Sequence, residues 1–585
     1  MLDHKSIAVL PFENMSSDAE NEYFSDGMTD EIINALSKIA GLNVTARTSS
    51  FAFKNRKVDV RHIGNELGVS TVLEGSIRKS GDRIRITSQL IRTDNGFHIW
   101  SENFDRQMSD VFALQDEVSL LIADKVRENF GHFEISDHLV KAETSNLEAY
   151  DLYLKGRFHQ LRWDGDGFAQ AAKYYQSSLT LDNNFALPAL AASPTFSYLA
   201  SWCFMDYEQA SNLAINYFDQ VSAEHDSLAE FHFAKLTKLF WLDWDFKSFS
   251  EQVDQSLSMF PNNSDLLELA CEYYTATGQF EQSLNRIDKA LAINPLSPNH
   301  YYTKGNTFYF QRDFSNAIVA FQKALEIDDS WVLARQVMAI CYINLNDERG
   351  FSSIANGFST VDQSRFQALF DLKQGKEVKE FQIPEYLDPG YLPWSVYYYS
   401  LKRDFKNAFS SLAEAIKMRK GQFVGFMYDP LLDELRNQEE FEDFKIDHSL
   451  LQITSETIVP SSDISSASLS DSDTSKYQKI LVDYMSTERP YLNNKISLRE
   501  LASHLDLHPN KLSWLINERL EKNFSEFIND YRLDHFKSLA LNAANKHLTL
   551  LGMAYDSGFN SKSVFNEFFK KQTGMTPKAW VKANS

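Results

Sequence analysis

A spacing of 34 residues constrains this chain more than any other feature. An aromatic side chain followed eleven residues later by Leu occurs at Phe246/Leu257, Phe280/Leu291 and Phe314/Leu325, and the three aromatics stand 34 apart. Weaker copies flank them at Phe168/Leu179, Tyr207/Phe218 and Phe405/Ile416. Pro261, Pro295 and Asp329 fall fifteen residues after the three strong aromatics, where a second helix has to end. A unit of this length is a helical hairpin that cannot bury its apolar faces alone, so copies stack into a solenoid with a concave groove. The pattern covers about residues 149–445 and turns irregular after about 345, where Glu348 takes the aromatic position.

At 585 residues the chain exceeds what one hydrophobic core organises, and it divides by pattern. Residues 1–132 read as an α/β module, 145–448 as the all-α solenoid, 449–475 as a Ser-rich linker and 476–585 as an all-α DNA-binding domain; the fold class is multidomain. The first segment alternates strand runs (Ser6–Phe12, Leu42–Ala46, Thr71–Arg78, Arg83–Arg92 and Gly96–Asn103) with helical patterns at Met28–Ile39, Arg61–Leu67 and Val111–Asn129.

Charge is distributed unevenly. The net charge is −22, yet residues 476–585 carry 16 Lys and Arg against 11 Asp and Glu, about +5, which leaves about −27 elsewhere. Affinity for a polyanion therefore belongs to the C-terminal end. No apolar run reaches the roughly 18 to 20 residues of a membrane span, and the N-terminus lacks a signal-peptide pattern, so a cytoplasmic protein is expected. Cys203, Cys271 and Cys341 are isolated and read as core residues. His62 and His98 have no partner at metal spacing, and no cofactor or metal is expected.

The C-terminal segment carries the chemistry. Ser497-Leu-Arg-Glu-Leu-Ala-Ser-His-Leu, a turn at Asp506-Leu507-His508 and a helix from Pro509 to about Arg519 form one pair of short helices with small Ala502 at their crossing. The arrangement recurs about fifty residues later: Leu548-Thr-Leu-Leu-Gly-Met-Ala-Tyr-Asp-Ser, a turn at Gly558-Phe559 and a helix from Asn560 to Lys571, joined to the first unit by a long helix over Phe524–Leu541. The expected DNA-facing residues are Asn510, Lys511, Ser513, Trp514 and Asn517 in the first unit and Asn560, Ser561, Lys562, Ser563, Asn566 and Lys570 in the second. Lysines neutralise phosphates or donate to guanine, and Asn side chains present the paired donor and acceptor that adenine matches.

Three resemblances follow from these residues. Both helix pairs, Tyr531-Arg-Leu in the linking helix and the closing run Gly558-Phe-Asn-Ser-Lys-Ser-Val-Phe-Asn-Glu-Phe-Phe-Lys-Lys-Gln-Thr-Gly-Met-Thr-Pro resemble the AraC/XylS type of transcription regulator over about 477–583. Asp506 stands for that family's turn Gly, His508 for its capping Ser and Val581 for a common Arg, which predicts a first unit with a compromised turn and a poor cap. The repeats, clearest at Gly278-Gln-Phe, Ala290-Leu-Ala-Ile-Asn-Pro and Ala324-Leu-Glu-Ile-Asp, resemble tetratricopeptide repeats without their Trp. Residues 6–130 resemble the TolB-like module found ahead of repeat arrays, through Ile7-Ala-Val-Leu-Pro-Phe, Tyr23-Phe-Ser-Asp-Gly-Met-Thr, Ala46-Arg-Thr-Ser-Ser-Phe and Val72-Leu-Glu-Gly-Ser-Ile-Arg.

The resemblances imply a DNA-binding regulator, more often an activator in the first family, that senses through its first two regions. Expected partners are double-stranded DNA, a protein, peptide or small-molecule effector on the repeats, and a second copy of the chain. The alternatives are a repeat-based interaction adaptor with a secondary DNA-binding module, and an enzyme built on Asp26, Glu74, Arg47 and Ser49 of the first module; no catalytic signature accompanies those four residues, and no enzymatic role is expected.

Overall fold

The computed structural model describes residues 3–18, 21–221, 223–378, 392–444 and 471–584. The first module is a sheet in the order β3-β1-β4-β5-β6, with β2 (Glu13–Asn14) beside β4. β1 (Asp3–Val9) pairs in parallel with β3 (Asn43–Val44) and β4 (Val69–Ser80), while β4, β5 (Arg83–Arg92) and β6 (His98–Gln107) run antiparallel as a meander. The parallel half needs crossover connections, and α1 (Glu22–Ser37), α2 (Arg47–Phe51) and α3 (Val60–Leu67) lie in them. α4 (Val111–Phe130) closes the module. Against expectation, α1 starts six residues earlier than Met28, and the strand expected over Leu42–Ala46 shrinks to two residues before the chain turns into α2.

The 34-residue period is one of helical hairpins. In the three strong copies the second helix spans Phe246–Met259, Phe280–Ile293 and Phe314–Ile327. Two devices recur in the turns, though not both in every one: the helix from Phe280 has no side-chain cap. Trp244, Gly278, Arg312, Asn346 and Arg403, each two residues before the start of a second helix, adopt positive φ and reverse the chain. Asp206, Asp245, Asp313, Asp347 and Asp404 then cap the following helix by accepting a backbone N–H. At Gly278 the turn also presses against a neighbour, since a Cβ there would sit 2.4 Å from the Tyr428 ring. Beyond Leu345 the hairpin shortens to an eight-residue helix at Glu348–Ala355, and the array ends in short turns through Phe444.

Module and solenoid share one hydrophobic core that runs from Ile7 to Phe441. Gly27 on α1 lets the helix Leu147–Gln160 approach until a Cβ would meet Leu154 at 2.8 Å. Polar groups lock the joint. Arg157 pairs with Asp30 at 3.1 Å, Tyr23 donates to Asp151 at 2.6 Å, and Ser49 donates its N–H and hydroxyl to Asn294 at 3.0 and 2.5 Å. Of the four residues weighed for catalysis, Arg47 leans on Asp30 at 3.9 Å and Asp26 on Lys54 at 2.6 Å, so three of the four are engaged at or beside this joint.

The three cysteines are buried and free. The Ser-rich segment falls outside the described residues up to 470, and its last residues, from Asp471, open the helix Asp471–Thr487 instead of remaining a linker.

Glu31 on α1 is half-buried at the joint. Burial, with Asp30 and Glu230 adding repulsion, pushes its carboxyl up to about 8. An unfolded chain releases that proton near its ordinary 4.5, so the folded state has its full advantage below that pH, loses it progressively as pH rises, and has lost it all above about 8. Urea midpoints should fall less between pH 6 and pH 9 for Glu31→Gln than for the unaltered chain; equal falls would remove Glu31 as the cause.

Candidate nucleic-acid interface

The C-terminal domain holds two small cores joined by one helix. Leu481, Leu501, Ala502, Leu512, Leu515 and Phe527 belong to the first; Leu533, Phe536, Ala554, Phe559 and Phe565 belong to the second. The helix Phe524–Leu541 contributes to both and starts with a capping box between Asn523 and Glu526. Arg532, buried on this helix, donates to the carbonyls of Tyr491 and Asn493 at 2.8 and 2.9 Å, which ties the entry of the domain to its spine. Burial lowers its guanidinium to about 10. Sequence reading noted Tyr531-Arg-Leu only as a resemblance; the bonds of Arg532 give it a physical role.

The two helix pairs turn in the same way. The N–H of Leu507 bonds the carbonyl of Ala502 at 3.0 Å, and that of Phe559 bonds Ala554 at 3.1 Å, so both small residues serve as crossing point and acceptor. Gly558 has φ +92, and a Cβ there would lie 2.1 Å from the Tyr491 carbonyl oxygen, so no other residue fits without displacement. In the first unit Asp506 takes the left-handed turn at φ +52. His508 corrects an expectation. Its Nδ1 accepts the N–H of Asn510 at 3.2 Å, so the residue expected to cap poorly does cap, because a neutral imidazole nitrogen is an acceptor. Ser561 caps the second reader through the Val564 N–H.

The expected DNA-facing residues separate into two groups. In the second unit the helix Lys562–Thr573 carries Lys562, Ser563 and Lys570 exposed, Asn560 exposed just before it, and Ser561 and Asn566 half-buried. Ser561 and Ser563 share a hydrogen bond at 2.7 Å, and Asn566 donates to its own helix at Lys562. In the first unit the helix Pro509–Trp514 continues as a π turn over Leu515–Arg519. Lys511 is exposed, but Ser513, expected to face DNA, is only 5% exposed. Trp514 is half-buried with the Arg519 guanidinium 5.7 Å from its ring centre.

Asn510 is occupied. Its side-chain oxygen accepts from Arg127 at 2.5 Å and from the Ile135 N–H at 3.3 Å, and its amide donates to the Ile135 carbonyl at 3.2 Å. Around it, Glu128 accepts the N–H of Leu498 at 2.8 Å, Asp124 pairs with both Arg499 and Arg127, and Asn523 and Ser525 donate to Asn129 at 3.0 and 3.1 Å. Asn517 lies against Gly131, where a Cβ would be 3.1 Å from its amide nitrogen. The end of α4 and the segment after it thus cover the tip of the first reader helix. Sequence reading placed the C-terminal domain on a tether apart from the rest, and these contacts join residues 370 to 396 positions apart that no local pattern pairs.

Residues 501–583 match the family described as a helix-turn-helix domain. The C-terminal domain is a helix-turn-helix domain of the AraC type. Residues 3–121, read above as TolB-like, match the second domain of the HilA/YgeH-like transcriptional regulators, so the chain carries parts of two regulator families. A protein of Rhizobium meliloti (strain 1021) named "Putative adenylate cyclase 3" is 41% identical over 203 residues, 34% of this chain and 33% of that protein. The chain thus spans about a third of that curated relative's length. Among solved structures, the human IFIT1 dimer with PPP-AAAA is 14% identical over 66% of this chain and 72% of its own, with a TM-score of 0.33. The tetratricopeptide protein YrrB is 17% identical over 33% of this chain and 96% of its own, with a TM-score of 0.21. At such scores neither bears on what this helix-turn-helix protein does. Among the described residues no helix is long and apolar enough to cross a membrane, and no cluster of His, Cys, Asp or Glu is placed to hold a metal.

Two outcomes are expected of this domain. Lys562→Ala should weaken DNA binding by the full chain and, where the lysine meets phosphate alone, lower the slope of log affinity against log salt by about 0.9 with base preference unchanged; titrations at three salt concentrations measure both. Gly558→Ala should destabilise the domain by about 1–3 kcal/mol or more, through the disallowed φ and the Tyr491 clash, as followed by Trp514 and Trp580 fluorescence in denaturant.

Proposed function

We propose that this chain is a sequence-specific DNA-binding transcription regulator in which the first module holds one of the two DNA readers closed. What carries the reading is Asn510: the side chain at the tip of the first reader is paired to Arg127 and Ile135 of the module, while Lys562, Ser563 and Lys570 of the second reader stay open to solvent. A domain of this type places reader helices in the major groove, with the first helix of each pair across the backbone. With α4 seated on the first pair, both units cannot enter successive grooves together.

The reading has a working order. The second reader supplies a foothold, and an event on the module or the solenoid frees the first, completing the site and favouring activation. Double-stranded DNA is the partner of the C-terminal domain; a protein, peptide or small-molecule effector acts on the repeats; and a second copy of the chain accommodates a two-fold operator. The setting is cytoplasmic, and the reading is not enzymatic, since Asp26 and Arg47 are paired to Lys54 and Asp30 within the module and Ser49 is bonded to Asn294 of the solenoid.

Glu128 accepts a charge-assisted bond from the Leu498 N–H and the Asn129 side chain a neutral one from Ser525, and losing both is worth about 1–3 kcal/mol, or roughly 5- to 150-fold in an equilibrium. Glu128→Ala combined with Asn129→Ala, both on α4 and outside the DNA-binding domain, should therefore tighten binding of the full chain to fragments selected from genomic DNA by at least about five-fold. Unchanged or weaker binding in this variant, with Lys562→Ala still impaired, would refute closure by α4 while leaving the DNA-binding role intact.

A further inference from the structure

The inner face of the solenoid contains a cavity of about 40 Å³ that the contacts described so far do not use. On that scale a single water needs about 10–15 Å³, so the space suits one compact head group and not a nucleotide or a folded segment. One side is aromatic. Trp163, Tyr198, Trp202 and Trp241 line it, with ring centres 5.4 Å apart for Trp163 and Tyr198, 5.7 Å for Tyr198 and Trp202, and 6.4 Å for Tyr198 and Trp241.

The opposite side carries three carboxyl groups. Asp265, Glu268 and Glu272 lie three and four residues apart on the helix Ser264–Ala276, hence on one of its faces, and all three line the cavity. Like charges on successive turns of one helix destabilise it, so the stripe costs stability unless something positive offsets it. Glu268 is answered within the fold: it accepts from Asn299 at 2.9 Å and Thr303 at 2.7 Å and pairs with His300 at 3.2 Å. The other two are not: among the described residues, Asp265 accepts only from the neighbouring Ser264 hydroxyl at 3.4 Å, and Glu272 makes no hydrogen bond or ion pair. Burial and the adjoining Glu268 hold the Glu272 carboxyl well above its ordinary range. No Lys or Arg lines the cavity, and Arg157, which feels Asp265, is committed to Asp30.

Trp241 is 3% exposed, lines both this cavity and the space beside Glu272, and its buried indole N–H has no acceptor among the described residues. A guanidinium or ammonium has no lone pair to offer it, so the acceptor it lacks would be a carbonyl on the rest of the ligand. Ring faces attract cations, most of all those of Trp, and more strongly when the site is dry.

We propose that this cavity binds an organic cation, a guanidinium or ammonium head group, held between the Trp163, Tyr198 and Trp202 rings and the Asp265 and Glu272 carboxylates. Asp265 is exposed and marks the mouth, Glu268 is buried at the base, and the remainder of the ligand leaves past Asp265. A head group of this kind is carried by a free amine or arginine-like metabolite and by an Arg or Lys side chain of a peptide. That occupancy signals to the DNA-binding domain rests on the regulator reading above; that the cavity takes a cation does not.

Calorimetry on the full chain tests the two separately. L-argininamide, tetramethylammonium and the peptide acetyl-Gly-Arg-Gly-amide are titrated in turn, beside L-citrullinamide, the neutral isostere of the first. At least one cation should bind with submillimolar affinity and citrullinamide should not; tighter binding of the peptide assigns the source to a protein, and of argininamide to a metabolite. Glu272→Gln should weaken the cation at least ten-fold, and Trp163→Leu, which keeps apolar bulk but removes the ring face, should do the same. No cation heat up to 10 mM, equal binding of citrullinamide, or full affinity in the folded Glu272→Gln variant overturns the proposal. DNA affinity measured with and without the bound cation reports on the regulator reading alone.

Discussion

The joint between the first module and the solenoid fixes everything else. α1 can lie against Leu147–Gln160 only because Gly27 has no side chain to collide with Leu154, and the approach brings Asp30 to Arg157 and Asp151 to Tyr23 across a half-buried seam. Ion pairs in such places stabilise little against water, but breaking one leaves a buried charge, so they resist sliding more than separation. Ser49 and Asn294 add a second anchor at the repeat where the 34-residue period is cleanest. Two anchors and a common apolar core fix the module against the solenoid, and α4 is the helix on which the DNA-binding domain rests.

How much of this the sequence disclosed depended on the range of the contacts. The hairpins follow from local periodicity, and the turn chemistry was also visible, since an Asp precedes the aromatic at Tyr207, Phe246, Phe314 and Phe405 and caps the helix each time. The second reader was legible because its turn needs a left-handed backbone and Gly558 adopts one without strain. Ser513, in the regular α-helical turn Pro509–Trp514 that precedes the π turn, is buried all the same. His508 was misjudged because statistics of capping residues average over both protonation states of the ring. The contact of Asn510 was beyond reach for a different reason: an Asn amide offers the same donor and acceptor to adenine, to Arg127 or to the Ile135 peptide, so residue type names the chemistry and not the partner.

That equivalence makes the docked arrangement physically informative. The groups that α4 presents to the first unit are Asp124 and Glu128, and those they engage are Arg499 and the N–H of Leu498 at the start of the first support helix. In a helix-turn-helix complex that helix crosses the sugar-phosphate backbone, where a cationic side chain and free N–H groups meet phosphate oxygens. Under the proposed closure, the module would present carboxylate oxygens where DNA presents phosphate. A surface of about −27 outside the DNA-binding domain, which would otherwise only repel DNA, acquires a local use.

Competition between carboxylate and phosphate also sets how the closed state responds to its surroundings. Both contacts are charge-assisted, so added salt weakens both; but DNA binding releases one condensed cation for nearly every phosphate neutralised, whereas the α4 contacts are few and partly buried and are screened less. Rising ionic strength thus shifts the balance toward the module, and the first reader is closed most firmly where DNA binding is already weakest. Because Arg127 is buried and donates to both Asp124 and Asn510, opening the interface leaves its charge with one partner fewer. The cost of opening falls on the module as much as on the reader, so an effector that gives Arg127 or its helix a new partner would favour release without touching the DNA-binding domain.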